Sequence, residues 1–271
     1  MAGFLSKNKD AANILLKRFG LPVPDYILVS SMSEKAVDFL NKYKKVAVKP
    51  FDTNRSIGIT LGIEKEEELE HAIRTASSYS EKVIIQKYIE GFDYRVLVID
   101  GKVVGVLEHQ PGFIVGDSYS TIEQLINKLN EDPFRRNNAG EFKPLKKISL
   151  DSNSLLFTLE KQSKTLQDIP VKGEQIQLSL SGNVLNGGIS IDRTDDICTV
   201  NAVIAVEAAK ALNIDVAGID IRCKDISVPI NNRYEGILEI NVLPDMVDHV
   251  LPFRGKSRDV IGAYLQYLFK E

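Results

Sequence analysis

The chain has 271 residues, 44% of them hydrophobic and 26% charged, with a formal net charge of −3. That length suits a two-lobed α/β unit. The near-neutral charge gives no electrostatic reason to expect nucleic acid as a partner, and no apolar run approaches the roughly 20 residues that span a bilayer.

Cys198 and Cys223 lack the spacing of a metal site or a disulfide framework, so a reducing, cytoplasmic setting is expected. Residues 1–7 read as an N-terminal tail, too short for a secretory signal before helical sequence begins. Ala12, Leu15, Leu16 and Phe19 recur at helical spacing, and Gly20 then Pro22 stop that helix. A strand over Tyr26–Val29 leads to Ser31-Met32-Ser33-Glu34, a capping-box pattern opening a second helix. Val46–Lys49 reads as a buried strand closed by Pro50. Leu69, Ala72, Ile73 and Ala76 define a third helix, and Val83–Ile85 a further strand.

Beyond residue 85, Tyr94–Ile99 and Lys102–Leu107 flank Asp100-Gly101, the pair favoured in a tight type I′ hairpin turn. Ser120 with Glu123 suggests another capping box, with Ile122, Leu125, Ile126 and Leu129 on one helical face. Residues 130–147 form a long polar loop carrying Arg135, Arg136, Lys143, Lys146 and Lys147. They are either a solvated basic loop or a seat for an anionic substrate tail. A Gly-rich stretch over 181–188 precedes a helix with Ala202, Ala205, Val206 and Ala209. The last helix places Ile261, Tyr264, Leu265 and Leu268 inward.

Ala217–Ile221 and Gly236–Val242 are strand-like, joined by a polar, mobile-looking stretch over 224–234. Alternation puts Leu238, Ile240 and Val242 on one face and Glu239 with Asn241 on the other; Asp220 opposes Ile219 and Ile221. An antiparallel hairpin would set Asp220, Glu239 and Asn241 side by side, a donor set that suits Mg²⁺ with phosphate and water completing its shell. The same pattern also describes the solvent face of an ordinary amphipathic hairpin. Lys49 ends an apolar strand before the loop Asp52–Thr60, where an ammonium and loop amides can hold a polyphosphate, although no Walker A pattern is present. A surface lysine before a turn is the alternative. The segment Gln86–Arg95 can offer backbone donors and acceptors to an adenine edge, and a following carboxylate can accept from ribose hydroxyls; a plain polar linker is again the alternative.

Asn8-Lys9 precedes Gly20-Leu21-Pro22-Val23-Pro24 and Val48-Lys49-Pro50. There follow Tyr88-Ile89-Glu90-Gly91, Asp93-Tyr94-Arg95, Val115-Gly116-Asp117, Thr121-Ile122, Asn130 and Asp132-Pro133. Then come Gly187-Gly188, Ala217-Gly218-Ile219-Asp220, Asp225-Ile226-Ser227, Glu239-Ile240-Asn241 and the run Gly255–Val260. In this order the motifs resemble those of ATP-grasp ligases from about Asn8 to Phe269. Within that superfamily the chain is most similar to the ATP-grasp domain of cyanophycin synthetases, then to that of bifunctional glutathione-synthesising enzymes.

The resemblance implies an α+β ATP-grasp fold with two α/β lobes, 8–85 and 86–271, clamping ATP. It implies that Lys9 and Lys49 contact phosphates with the loop residues Asn54, Ser56 and Gly58, and that Gln86, Lys87, Tyr88 and Ile89 hold adenine. It further implies that Asp93 takes the ribose, and that Asp220, Glu239 and Asn241 hold Mg²⁺. The implied activity is ATP- and Mg²⁺-dependent carboxylate–amine ligation through an acylphosphate, on an amino acid or short peptide, without a protein nucleophile. His71, His109 and His249 are then structural or peripheral, with a minor substrate-side role open for His249.

Several positions depart from the family pattern. Ser179 stands where relatives carry an arginine that would stabilise the acylphosphate, a charge that Arg95 or Arg193 would have to replace as catalytic groups. Asp245 stands where a glycine is usual, beside the expected metal and substrate. Thr53 and Ser56 replace two loop glycines, and Asn137–Glu141 replace a His-containing segment. The alternative function is a nucleotide-binding module without ligase activity, and a third is phosphoryl transfer to a small molecule without ligation. No N-terminal domain and no Mur-ligase-like domain are visible, which predicts either a fragment or a ligase completed by a partner domain or a second copy.

Overall fold

The computed structural model describes residues 8–53, 58–136, 145–180, 182, 187–231 and 233–270, with Arg136 by its main chain only. The chain divides into two compact units that do not follow chain order. The first comprises residues 1–104, 195–244 and 264–271, and the second 105–194 and 245–263. The expected lobe boundary at residues 85 and 86 lies inside the first unit.

In the first unit, α1 (Lys9–Arg18) is N-capped by Asn8, whose Oδ1 accepts from the Ala11 amide at 3.1 Å. Ala12 and Leu16 are buried, while Phe19, beyond the helix end, is 65% exposed. A four-stranded sheet in the order β1-β4-β2-β3 is built from β1 (Tyr26–Val29), β2 (Val46–Pro50), β3 (Thr60–Ile63) and β4 (Val83–Lys87). Pro50 is the last residue of β2 instead of lying outside it, as a strand end tolerates the missing donor. Helix α2 (Glu34–Tyr43) is preceded by Ser33 as N-cap, so the Ser31–Glu34 capping box does not form. It packs with α3 (Glu66–Ser77), whose Leu69, Ala72, Ile73 and Ala76 are all buried against Val46, Val48, Ile63, Val83 and Ile85.

The site-bearing sheet of this unit runs through β5 (Phe92–Ile99), β12 (Val216–Cys223) and β13 (Gly236–Val242), all antiparallel. Asp100 and Gly101 follow β5 with φ of 49° and 69°, the left-handed pair of a type I′ turn, and β6 (Lys102–Gln110) begins at once. A register shift between Asp220 and Ile221 pairs Asp220 with Glu239 but Ile221 with Ile237. Leu238 is therefore skipped, and the fully inward residues are Ile237 and Ile240, not Leu238, Ile240 and Val242. The stretch Ile226–Ile230 of the connection is pinned: Asn201, on α6 (Thr199–Ala211), donates to the carbonyls of Ile226 and Val228 at 2.8 Å each. Its Oδ1 accepts from the Ile230 amide at 3.0 Å.

The second unit contains the β6–β11 pair, β11 being Ile189–Asp192, and the pair formed by β7 (Phe113–Val115) and β10 (Gln175–Gln177). Helix α4 (Ile122–Asn130) starts on a reciprocal capping box of Thr121 with Gln124, one residue later than Ser120 and Glu123. Its Ile122 and Ile126 pack with Ile114, Ile176, and with Leu155 and Leu159 of α5 (Asn153–Lys161). The expected long loop contains two short parallel strands, β8 (Arg135–Arg136) and β9 (Leu145–Lys146). Arg135 is only 4% exposed and donates to the Lys146 carbonyl at 2.7 Å, so it is not a solvated surface charge. Residues 137–144, 181 and 183–186 lie outside the described residues.

After the short α7 (Val247–Val250), α8 (Val260–Leu268) buries Val260, while Ile261, Leu265 and Leu268 are 44%, 47% and 50% exposed, against the inward placement expected. Among the described residues no helix is long and apolar enough to cross a membrane.

Candidate nucleotide and metal site

Three strands of the first unit bring the charged positions into transverse rows. Asp220 on β12 is the register partner of Arg95 on β5 and of Glu239 on β13. One row away, Asn241 stands opposite Gly218. In the next row on the other side, Arg222 stands opposite Asp93. Residues two apart on a strand share a face, so Asp220, Glu239 and Asn241 converge as the alternation implied.

The Asn241 amide nitrogen donates to Asp220 Oδ2 at 3.0 Å, which leaves Asn241 Oδ1 as the group that can face a cation. Arg95 also donates to Asp220: Nε to Oδ1, and Nη2 to Oδ2 at 3.1 Å. Glu239 is half-buried and makes no hydrogen bond or ion pair among the described residues. An unpaired carboxylate directly across from a second one, with an amide oxygen beside them, fits a hard divalent cation whose remaining ligands are phosphate and water. No group of three or more His, Cys, Asp or Glu side chains suited to a metal occurs among the described residues. The two-carboxylate, one-amide set is thus short of ligands unless a phosphate-bearing molecule supplies them.

Lys49 and Lys9 stand within electrostatic reach of Glu239. Desolvation pulls the Lys49 ammonium down to about 8, against the opposing pull of Glu239, with Lys9 adding repulsion and Asp220 attraction. Lys9 is also lowered by burial, with Glu239 and Asp52 opposing. Its Nζ donates to the Thr53 carbonyl at 2.6 Å, tying α1 to the loop after β2. Lys49 has no hydrogen-bond partner among the described residues, and a desolvated ammonium of that kind gains strongly from an incoming polyanion. Asn54 and Ser56 lie outside the described residues. Gly58 has φ of 71°, and a Cβ there would stand 2.7 Å from Pro50 Cγ, so the turn requires glycine.

The end of β4, with Gln86 and Lys87, and the residues that follow it are more engaged than a free linker. The Lys87 amide donates to the Asp25 carbonyl at 2.9 Å and the Tyr88 amide to that of Lys45 at 3.1 Å. Gln86 is buried with its Nε2 unpaired among the described residues, and Ile89 is 4% exposed. Lys87 Nζ donates to the Arg233 carbonyl at 2.5 Å and lies over the Tyr43 and Tyr234 rings.

Arg222 carries a role the sequence reading missed. Its Nη1 donates to Asp93 at 2.9 Å, its Nη2 to the Tyr88 hydroxyl at 3.0 Å, and its guanidinium stacks 5.0 Å from the Tyr88 ring centre. It follows Asp220 by two residues on the same face, which was the available signal.

Arg193 lies in the second unit, where its Nε donates to Glu108 at 2.7 Å and neutralises a carboxylate only 3% exposed. Ser179 is fully buried in that unit, and exposed Asp245 accepts from the Val247 amide at 2.9 Å at the start of α7. His249 is 1% exposed and packs against Gly105, a core position.

Residues 15–119 match the family model described as D-ala D-ala ligase C-terminus. A cyanophycin synthetase of Trichormus variabilis (strain ATCC 29413 / PCC 7937) is 38% identical over 267 residues, covering 98% of this chain and 29% of that protein. The glutathione biosynthesis bifunctional protein GshAB of Clostridium perfringens (strain 13 / Type A) is 32% identical over 272 residues, covering 99% of this chain and 35% of that protein.

Among solved structures, a bifunctional glutathione synthetase from Pasteurella multocida superposes with a TM-score of 0.64 at 31% identity, over 99% of this chain and 37% of that one. The ATP-grasp ligase PsnB, solved with a precursor peptide and AMPPNP, shares the fold alone, with a TM-score of 0.53 at 15% identity over 98% of this chain and 59% of that one. The chain has the α+β ATP-grasp fold. Over nearly its whole length it is similar to part of the cyanophycin synthetases and to part of the bifunctional glutathione-synthesising proteins. It spans about a third of the length of these relatives.

Proposed function

We propose that the chain binds ATP with Mg²⁺ and catalyses carboxylate–amine ligation on an amino acid or short peptide. The observation that carries this reading is the set of half-buried groups with unmet partners on one side of the first unit. Lys49 and Glu239 have no hydrogen-bond partner among the described residues, within electrostatic reach of each other and of Lys9 and Asp220. Lys9 and Lys49 would hold phosphate oxygens together with the loop of Asn54, Ser56 and Gly58. Gln86, Lys87, Tyr88 and Ile89 would border adenine, and Asp93, oriented by Arg222, would accept from the ribose. Asp220, Glu239 and Asn241 would hold Mg²⁺, which supplies charge neutralisation of the phosphates.

In this mechanism a substrate carboxylate oxygen attacks the γ-phosphorus, the bond to the bridging oxygen breaks, and ADP leaves. The amine nitrogen then attacks the acylphosphate carbon. Phosphate departs with its bonding pair, and the nitrogen loses a proton as the amide forms. The lysines and the candidate Arg95 stabilise charge on the transferred group, while positioning supplies the rest. A further domain or a second copy completes the substrate surface, and the cytoplasm is the setting.

The test is phosphate release from ATP and Mg²⁺ across a panel of amino acids and acidic dipeptides, with mass spectrometry of the products. Release that needs one acid–amine pair and yields their conjugate less one water is the expected result. Full turnover by Glu239→Ala would remove the metal assignment. A second reading, nucleotide binding without ligation, is favoured by Ser179, whose full burial leaves no charge where the resemblance places an arginine. It predicts ATP binding with no substrate-stimulated ADP release.

A further inference from the structure

The two carboxylates of the candidate metal site are treated differently by the fold. Glu239 has no hydrogen bond among the described residues, whereas both oxygens of Asp220 accept from the forked guanidinium of Arg95. The Arg95 and Asp220 side chains are only 22% and 25% exposed, so water screens the pair weakly. The contact is built into the sheet, since the two residues are register partners on β5 and β12. The bare Cα of Gly218 supplies the lane for the arginine stem. A Cβ there would stand 2.9 Å from Arg95 Cδ and 2.8 Å from Pro244 Cβ. Asn241 closes Asp220 Oδ2 from the other side at 3.0 Å.

A divalent cation on Asp220 would meet a guanidinium already seated on the same oxygens, and the two positive charges repel at that range. We propose that Arg95 is the resident counter-cation of Asp220, competing with the divalent cation for this carboxylate. The cation then binds weakly until an anion draws the guanidinium away. The inference rests on the metal assignment proposed above and deepens it: Arg95 acts through Asp220 as a positioning residue that couples cation entry to arrival of an anionic ligand.

The experiment is a Mn²⁺ titration of the nucleotide-free protein, read by the EPR signal of free Mn²⁺, in the wild type, Arg95→Gln and Arg95→Lys, each with and without Glu239→Gln. Arg95→Gln is expected to bind Mn²⁺ roughly tenfold more tightly than the wild type. Arg95→Lys should fall between, because lysine keeps the charge but loses the fork. Thermal unfolding in EDTA checks that each variant is folded, and added Mn²⁺ should raise the melting temperature most in Arg95→Gln.

Equal or weaker binding by Arg95→Gln, with Glu239→Gln still weakening both backgrounds, overturns the counter-cation role and leaves the metal site standing. Mn²⁺ binding that Glu239→Gln does not weaken overturns the metal site, and this inference with it. If Arg95→Gln does not fold, Arg95→Lys decides: tighter than wild type supports the proposal, and equal or weaker overturns it.

Discussion

Replacing Arg222 by methionine keeps most of the aliphatic packing of the stem and removes three interactions at once. The side chain is 8% exposed and its partner Asp93 24% exposed, so the ion pair at 2.9 Å sits largely out of water. Losing a charge-assisted bond in such a setting costs about 2 kcal/mol. The hydrogen bond to the Tyr88 hydroxyl adds about 0.5 kcal/mol, and the stack on its ring a similar amount. Arg222→Met should therefore lower unfolding stability by about 3 kcal/mol in urea denaturation. A double-mutant cycle with Asp93→Asn should return a coupling of about 1.5 kcal/mol. The functional readout is ribose recognition: the wild type should prefer ATP over 2′,3′-dideoxy-ATP, and both single variants should narrow that preference. A loss below about 0.5 kcal/mol, or additive effects in the cycle, would refute the assignment of Arg222 as the residue that holds Asp93.

Three further outcomes follow from local geometry. Gly91 has φ of 126°, and an added Cβ would stand 2.4 Å from the Cys223 carbonyl oxygen, so Gly91→Ala should cost roughly 3 kcal/mol or more, read from the urea midpoint. Asp117 accepts from the Ser120 and Tyr119 amides and the Ser120 hydroxyl, which hold its carboxyl down to about 2. Its unfolded value is about 3.9, so its contribution is complete above that pH and lost as the pH falls through about 2. Asp117→Asn should flatten the fall in melting temperature over that window, and an unchanged acid limb would count against the bonding. Burial first, then the Glu235 and Asp225 charges, pushes the Cys223 thiol up to about 12. Iodoacetamide at pH 8 should therefore label half-buried Cys198 and reach Cys223 only after unfolding, as mass spectrometry would show.

Much of the fold was legible because local patterns repeat the physics of their surroundings. The period of Leu69, Ala72, Ile73 and Ala76 matched a helix buried on one side, and Asp100-Gly101 could adopt the positive φ values a type I′ turn needs. The failures were also local. Ser31 and Ser120 were plausible caps, but Ser33 and Thr121, two residues and one residue later, took the positions, since nearby hydroxyls compete for one helix start. Ile261, Leu265 and Leu268 share a helical stripe whichever side water lies on, and periodicity alone does not say that the stripe is exposed.

At the site, the sequence by itself determined the chemistry: which strands alternate Asp220 with apolar neighbours, and that Glu239 and Asn241 share a face. Tertiary structure alone decided the partners. Strand register placed Arg95 and Glu239 on either side of Asp220, and set Arg222 against Asp93 across residues 129 apart in the chain. Alternation specifies which face a side chain occupies. Which residue of another strand it meets depends on register, and register is set by the packing of the whole sheet.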